Sequence, residues 1–304
     1  MKRMNEKQLK IQKLKKEKDA VILAHYYVTG DVQAIADYVG DSFYLSQVAE
    51  KVEAQKIVMC GVRFMGESAK ILNPNKTVLL PAPNADCPMA HMATVEQIEK
   101  MRTQYDDLAV VCYVNSTAEL KMHADVCVTS ANALKIVKAL PNHNIFFIPD
   151  ENLGRFVAAQ IPEKHFIFND GFCPTHAFLT AKDVQAAKEK HPHAPVLVHP
   201  ECRPEVTALA DYVGSTAALI RYTKTNPAKE FIIGTEHGVL YDMEHESPEK
   251  TFYPLHAEQI CPNMKQITLD KVIWALETET PVIHMDTERA RCAYTPLKRM
   301  LELS

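Results

Sequence analysis

Short apolar runs alternate with longer amphipathic stretches along the whole chain. Ala20–His25, Val39–Asp41, Ile57–Gly61 and Thr77–Leu80 read as four strands. The intervening segments read as helices: one running to Tyr38, then Phe43–Ala54 and Met65–Leu72. The pattern returns as Ala109–Val114, Val126–Val128, Asn144–Pro149 and His165–Phe168, and again as Pro195–His199, Tyr212–Gly214, Glu230–Gly234 and Thr251–Leu255. Short apolar strands separated by helices belong in parallel sheets covered on both faces. The predicted class is therefore α/β. It consists of three homologous αβα-sandwich domains, each on a four-stranded parallel sheet, set around a pseudo-threefold axis. The last stretch, Pro281–Asp286 followed by a helix to Leu303, reads as a fragment of a fourth copy that packs back on the first domain.

The repeat is also legible residue by residue. Ala36-Asp37-Tyr38-Val39-Gly40-Asp41-Ser42 recurs at Ala124–Ser130 and at Ala210–Thr216, offset by 88 and 86 residues. Cys87-Pro88, Cys173-Pro174 and Cys261-Pro262 are offset by 86 and 88. Each cysteine is followed by a threonine seven residues on (Thr94, Thr180, Thr268) that is placed to cap a helix, Thr94 with Gln97 at capping-box spacing. Repetition of sequence implies repetition of geometry. The expected domains are residues 1–84 with 270–304, 85–171 and 172–269, and three distant thiols can then meet at their junction.

Composition narrows the class. With 47% hydrophobic and 24% charged residues, the chain is ordinary for a globular protein. A net charge of -4 argues against a nucleic-acid binder, because no basic surplus exists to neutralise phosphates. The Lys-rich start reads as the solvated face of a helix. No apolar run is long enough to span a bilayer, and no signal-peptide core precedes the first strand. Eight cysteines without signs of export point to reduced thiols or metal ligands and to a cytoplasmic location.

In open parallel sheets, ligands bind beyond the carboxyl ends of the strands, where helices begin. The first strand of each copy ends in a polar pair: His25 with Tyr27, Tyr113 with Asn115, His199 with Glu201. The second strands end in Ser42, Ser130 and Thr216, the last two placed to hold a carboxylate or phosphate at a helix start. Cys60, Cys112 and Cys127 fall within strands and read as inert small hydrophobes. Cys202 and Cys292 have no counterparts in the other copies. Three loop thiolates around an axis suit a [4Fe–4S] cube held by three corners, with one iron left open. A zinc ion with three thiolates and a water has the same axis, and spacing does not choose between them.

At this point the chain resembles the quinolinate synthase family over nearly its whole length. The resemblance is carried by Ile22–Tyr27, Ala69–Pro74, Asp86–Ala90, Tyr113–Thr117, Pro149–Gly154, His199–Cys202, Gly234–Gly238 and Cys261–Lys265, in that order. It implies an enzyme of NAD biosynthesis that condenses iminoaspartate with dihydroxyacetone phosphate to give quinolinate, phosphate and water. It further implies a [4Fe–4S] cluster on Cys87, Cys173 and Cys261 whose open iron acts as a Lewis acid, and transient contact with the L-aspartate-oxidising enzyme that supplies iminoaspartate. Substrate contacts map onto His25, Ser42, Tyr113, Asn115, Ser130, His176, His199, Glu201, Ser215 and Thr216. Tyr27, Glu201, His199 and Tyr113 are the implied catalytic set, with Glu201 taking a carbon-bound proton and Tyr27 serving an oxygen. Some family members carry a CxxCxxC run ending at the third ligand. Here Leu255 and Glu258 replace its first two cysteines, which leaves ligation intact and removes a redox disulfide. A non-catalytic iron–sulfur sensor and a zinc-dependent lyase remain as rival readings.

Overall fold

The computed structural model describes residues 5–304. Its strands form three four-stranded, all-parallel sheets. The first contains β1 (Ala20–His25), β2 (Tyr38–Gly40), β3 (Lys56–Cys60) and β4 (Thr77–Leu79), in the spatial order β2-β1-β3-β4. The second repeats that order with β5 (Leu108–Tyr113), β6 (Val126–Val128), β7 (Asn144–Ile148) and β8 (His165–Phe168). The third does so with β9 (Val196–Val198), β10 (Tyr212–Val213), β11 (Glu230–Gly234) and β12 (Thr251–Pro254). Every side chain of β5 and β9 is buried, as expected for central strands covered on both faces. Residues 1–4, at the start of the expected first domain, lie outside the described residues. No described helix is long and apolar enough to cross a membrane.

The repeated Ala-Asp pair has a structural explanation. The carboxylates of Asp37, Asp125 and Asp211 accept the N–H groups of Ile22, Val110 and Val196 at 2.8, 2.7 and 2.8 Å. Their own N–H groups bond back to the carbonyls of the same three residues. Each aspartate therefore extends the ladder by one step and sets the register, which pairs Leu23 with Tyr38, Val111 with Val126 and Leu197 with Tyr212. A basic side chain from the helix before each sheet's first strand (Lys15, Arg102 or Lys188) sits on each one. Such partly exposed pairs contribute about 1 kcal/mol or less. What the repeat encodes at this position is strand pairing.

Two sequence expectations change. The helix expected up to Tyr38 is confined to Gly30–Gln33, because Asp37 is drawn onto Ile22 and the chain must straighten into β2. The segment Pro281–Asp286 does not start a fourth parallel sheet. Leu80 donates to the Pro281 carbonyl and Ile283 to that of Val78, so Leu79 and Val282 form an antiparallel bridge that covers the outer edge of β4. The closing helix, Thr287–Leu303, touches both of the first two units. Lys298 pairs with Glu50, Arg299 donates to the Asp125 carbonyl, and the Ser304 hydroxyl accepts from Asn132. The Lys-rich N-terminal helix, Glu6–Glu17, sets Lys7 and Lys10 against Asp270 and Glu277 of the helix Leu269–Thr278.

After each fourth strand the chain passes a cysteine and a short turn of helix. It then enters a longer helix capped by Thr94, Thr180 or Thr268. Thr180 also forms a capping box with Asp183, so two of the three starts carry the reciprocal cap.

Candidate active site

In the order β2-β1-β3-β4 the chain leaves β1 to one side and returns on the other. Each sheet therefore has its switch point between its first and third strands. The residues beyond those ends converge on one cavity of about 120 Å³ lined by all three units. His25 and Tyr27 from the first unit, Tyr113, Asn115 and Ser130 from the second, and His199, Glu201 and Thr216 from the third all line it. So do Ser42, His176, Cys87, Cys173 and Cys261.

Ser215 does not line the cavity. Its hydroxyl caps the helix Thr216–Thr225, accepting the Ala218 N–H at 3.3 Å. That cap leaves the hydroxyl of Thr216, the first helical residue, free to face inward. Asp41 does the same for Ser42, accepting the Tyr44 N–H at 2.9 Å. Ser130 departs from this pattern. Asn132 accepts the Thr129 N–H and inserts a turn between β6 and the helix Ala133–Ala139, so Ser130 stands before the helix start rather than on it.

The histidines are held as neutral donors. His25 Nδ1 accepts the Tyr27 N–H at 3.1 Å, and His199 Nδ1 accepts the Glu201 N–H at 3.3 Å. Their protons therefore sit on Nε2. Burial drives both imidazoles down to about 3, against the pull of Glu201. His199 Nε2 lies 3.1 Å from the Ser130 hydroxyl, across the junction of two units.

Glu201 is the buried anion of the site. Burial pushes its carboxyl up, but the neighbouring His199 and His176 and the Tyr113 hydroxyl outweigh that and hold it below the usual carboxylate range. Its Oε2 lies 2.6 Å from His176 Nδ1, which also meets Cys173 Sγ at 3.2 Å, whereas Oε1 has no hydrogen-bond partner among the described residues. Asn115 Oδ1 is likewise buried and unpaired. Burial and the charge of Glu201 push the hydroxyls of Tyr27 and Tyr113 well above the usual range, so both stay protonated. The Tyr27 hydroxyl meets Thr216 Oγ1 at 2.7 Å and Thr235 Oγ1 at 2.8 Å, and Thr235 Oγ1 meets His176 Nε2 at 2.9 Å. Thr235 thus joins Tyr27 to His176, and through it to Glu201.

The donor set suits a thiophilic metal group. Cys87 is pushed up to about 12 by burial and by the neighbouring Cys261 and Glu201. Cys173 is raised by burial and Glu201, and further by Cys87 and Cys261, so the three sulfurs share one neighbourhood. Burial likewise raises Cys261. Thiols this reluctant to ionise become thiolates only beside a bound cation. Cys173, His176 and Glu201 bring ligand atoms within 4.8 Å of one another, so a metal at this place would meet an imidazole and a carboxylate as well as sulfur. Cys60, Cys112 and Cys127 are buried in β3, β5 and β6, away from this cavity.

Sequence reasoning gave no role to Asp41, Thr235, Asp150 or Glu236. The last three follow third strands, and their offset from those strands was the available signal. Their contacts arise only when distant loops meet.

A family described as NadA, quinolinate synthetase A protein, matches residues 9–302. A curated relative named quinolinate synthase, from Caldicellulosiruptor bescii, is 53% identical over 96% of this chain and 97% of its own length. Quinolinate synthases from Thermodesulfovibrio yellowstonii and Clostridioides difficile are 50% and 46% identical, covering 95% and 97% of this chain and 96% and 97% of their own lengths.

Proposed function

The chain belongs to the quinolinate synthase family of enzymes, and on that premise we propose that it condenses iminoaspartate with dihydroxyacetone phosphate to give quinolinate, phosphate and water. The observation that carries this reading is the meeting of three loop cysteines with two neutral histidines, two protonated tyrosines and an ionised glutamate in one cavity. Cys87, Cys173 and Cys261 would hold a [4Fe–4S] cluster, which when bound supplies an iron free of protein ligands as a Lewis acid.

The side chains divide the remaining work. Nε2–H of His25 donates to a substrate oxygen, that of His199 donates to Ser130 and so turns the serine hydroxyl toward substrate, and Asn115 offers an unpaired acceptor at the same wall. Ser42, Ser130 and Thr216 hold a carboxylate or the phosphate. The bare Oε1 of Glu201 takes a carbon-bound proton, while His176 sits on Oε2 and the Tyr113 hydroxyl favours the charged carboxylate. Tyr27, protonated and anchored between Thr216 and Thr235, gives a proton to a departing oxygen. Burial keeps bulk water from these groups. Iminoaspartate is supplied by transient contact with an L-aspartate-oxidising enzyme, in a reducing cytoplasmic setting that keeps the three thiols available.

Anaerobic purification followed by assay with the two substrates tests this reading. The expected protein is brown, carries about four irons and four sulfides, and forms quinolinate. A colourless protein holding one zinc, or an iron–sulfur protein that forms no quinolinate, contradicts it.

A further inference from the structure

The loops behind the three cysteines are built alike but braced differently. In every unit the third residue past the third strand (Arg63, Glu151 or His237) donates its N–H to the carbonyl two residues before the cysteine. These bonds, to Ala85, Gly171 and Gln259, measure 2.9, 2.7 and 2.9 Å. The residue just before each donor differs: Val62, Asp150, Glu236.

Asp150 Oδ2 accepts the Cys173 N–H at 3.0 Å, and its Oδ1 accepts the Leu153 N–H at 2.7 Å. Glu236 Oε1 accepts the Cys261 N–H at 3.0 Å and the Lys265 ammonium at 2.7 Å, while Oε2 accepts the Gly238 N–H at 2.6 Å. Both side chains are fully buried. The Val62 side chain can accept nothing. The Cys87 N–H is met instead by the adjacent Asp86 at 2.8 Å, a partly exposed side chain whose other oxygen faces His91.

We propose that Asp150 and Glu236 are positioning residues that fix the Cys173 and Cys261 ligands from behind, so that two of the three sulfur donors rest on buried carboxylates and the third does not. This rests on the proposed iron–sulfur function. Glu236 lines the cavity, yet it is no candidate base: both its oxygens are engaged, whereas Glu201 keeps one bare. Lys265 extends the brace, since its ammonium also donates to the Tyr27 carbonyl at 2.6 Å and so ties the third cysteine loop to the first unit. Each carboxylate uses both oxygens as acceptors. An amide has one, so Asn or Gln at these positions must leave an N–H unanswered.

The test compares iron release to a ferrous chelator, followed by bleaching of the cluster's visible absorbance. The proteins are the anaerobic wild type, Asp150→Asn, Glu236→Gln, Glu236→Asp, Asp86→Asn and Asp211→Asn, each with its thermal midpoint. Loss of a group that orients a ligand costs about ten- to a hundredfold in metal retention, and that is the acceleration expected for Asp150→Asn and Glu236→Gln. Glu236→Asp keeps two acceptors and releases iron more slowly than Glu236→Gln, which holds the test open should Asp150→Asn fail to fold. Asp86→Asn has the smaller effect of an exposed, water-replaceable group. Asp211→Asn keeps one acceptor for the Val196 N–H but loses the ion pair with Lys188, at the start of the strands rather than at the ends that line the cavity, so it lowers the midpoint slightly and leaves release unchanged. Wild-type release rates in both Asp150→Asn and Glu236→Gln, or equal acceleration by Asp211→Asn, overturn the positioning role alone. A wild type without iron and sulfide overturns the functional reading instead.

Discussion

The cysteine loops and the strand-end pairs occupy equivalent places in the same three units, yet they have had opposite fates. The loops keep Cys-Pro, the short helical turn and the threonine cap in every copy. The strand ends carry His25 with Tyr27, Tyr113 with Asn115, and His199 with Glu201, with no pair repeated. On the proposed function, the difference follows from what each set would face. A group with a threefold axis asks the same of all three loops, whereas an unsymmetrical organic substrate asks something different of each strand end. One scaffold thus builds a symmetric socket and an asymmetric wall around a single cavity.

The strongest way to break this comparison is to remove the thiols one at a time. Cys87→Ser, Cys173→Ser and Cys261→Ser should each lose iron–sulfur absorbance and activity, since a hard hydroxyl replaces a soft ligand at every one of the three. A variant that keeps its cluster would show that the loops are not equivalent. The strand ends should behave in the contrary way, each substitution having its own signature. Glu201→Gln should reduce turnover by about 10²–10⁴-fold, the usual worth of a positioned base, while iron content stays at the wild-type value. Full activity would remove Glu201 from the chemistry.

The smallest effect concerns stability. Burial holds His25 and His199 near 3, while in the unfolded chain they titrate near 6.5. Between those values the unfolded state binds more protons, so stability is complete above pH 6.5 and declines as pH falls toward 3. From pH 6.5 to 5 each histidine accounts for about 2 kcal/mol. Denaturant unfolding of the iron-free protein at both pH values should show the loss, with His25→Asn removing its share. A flat profile would mean that these imidazoles are not held neutral.

The twelve strands were legible because each is a short apolar run bounded by polar residues, and because the repeat supplied three chances to see it. The cavity wall was legible for the same reason, through equal offsets from strand ends. Ser215, where the resemblance implied a substrate contact, caps a helix and does not line the cavity, because a helix cap and the residue after it look alike in sequence but point differently. Thr235 was missed because its partners, Tyr27 and His176, lie 208 and 59 residues away. The edge-covering bridge of Val282 was missed because an antiparallel pairing leaves no trace in a pattern of parallel repeats.

The central claim is that three thiols hold an iron–sulfur cube and leave its last iron to the substrate. Mössbauer spectroscopy of iron-57-loaded protein tests it most directly. The account predicts three irons alike and one distinct, with only the distinct one changing when substrate or product is added. Four equivalent irons that ignore both compounds would contradict it.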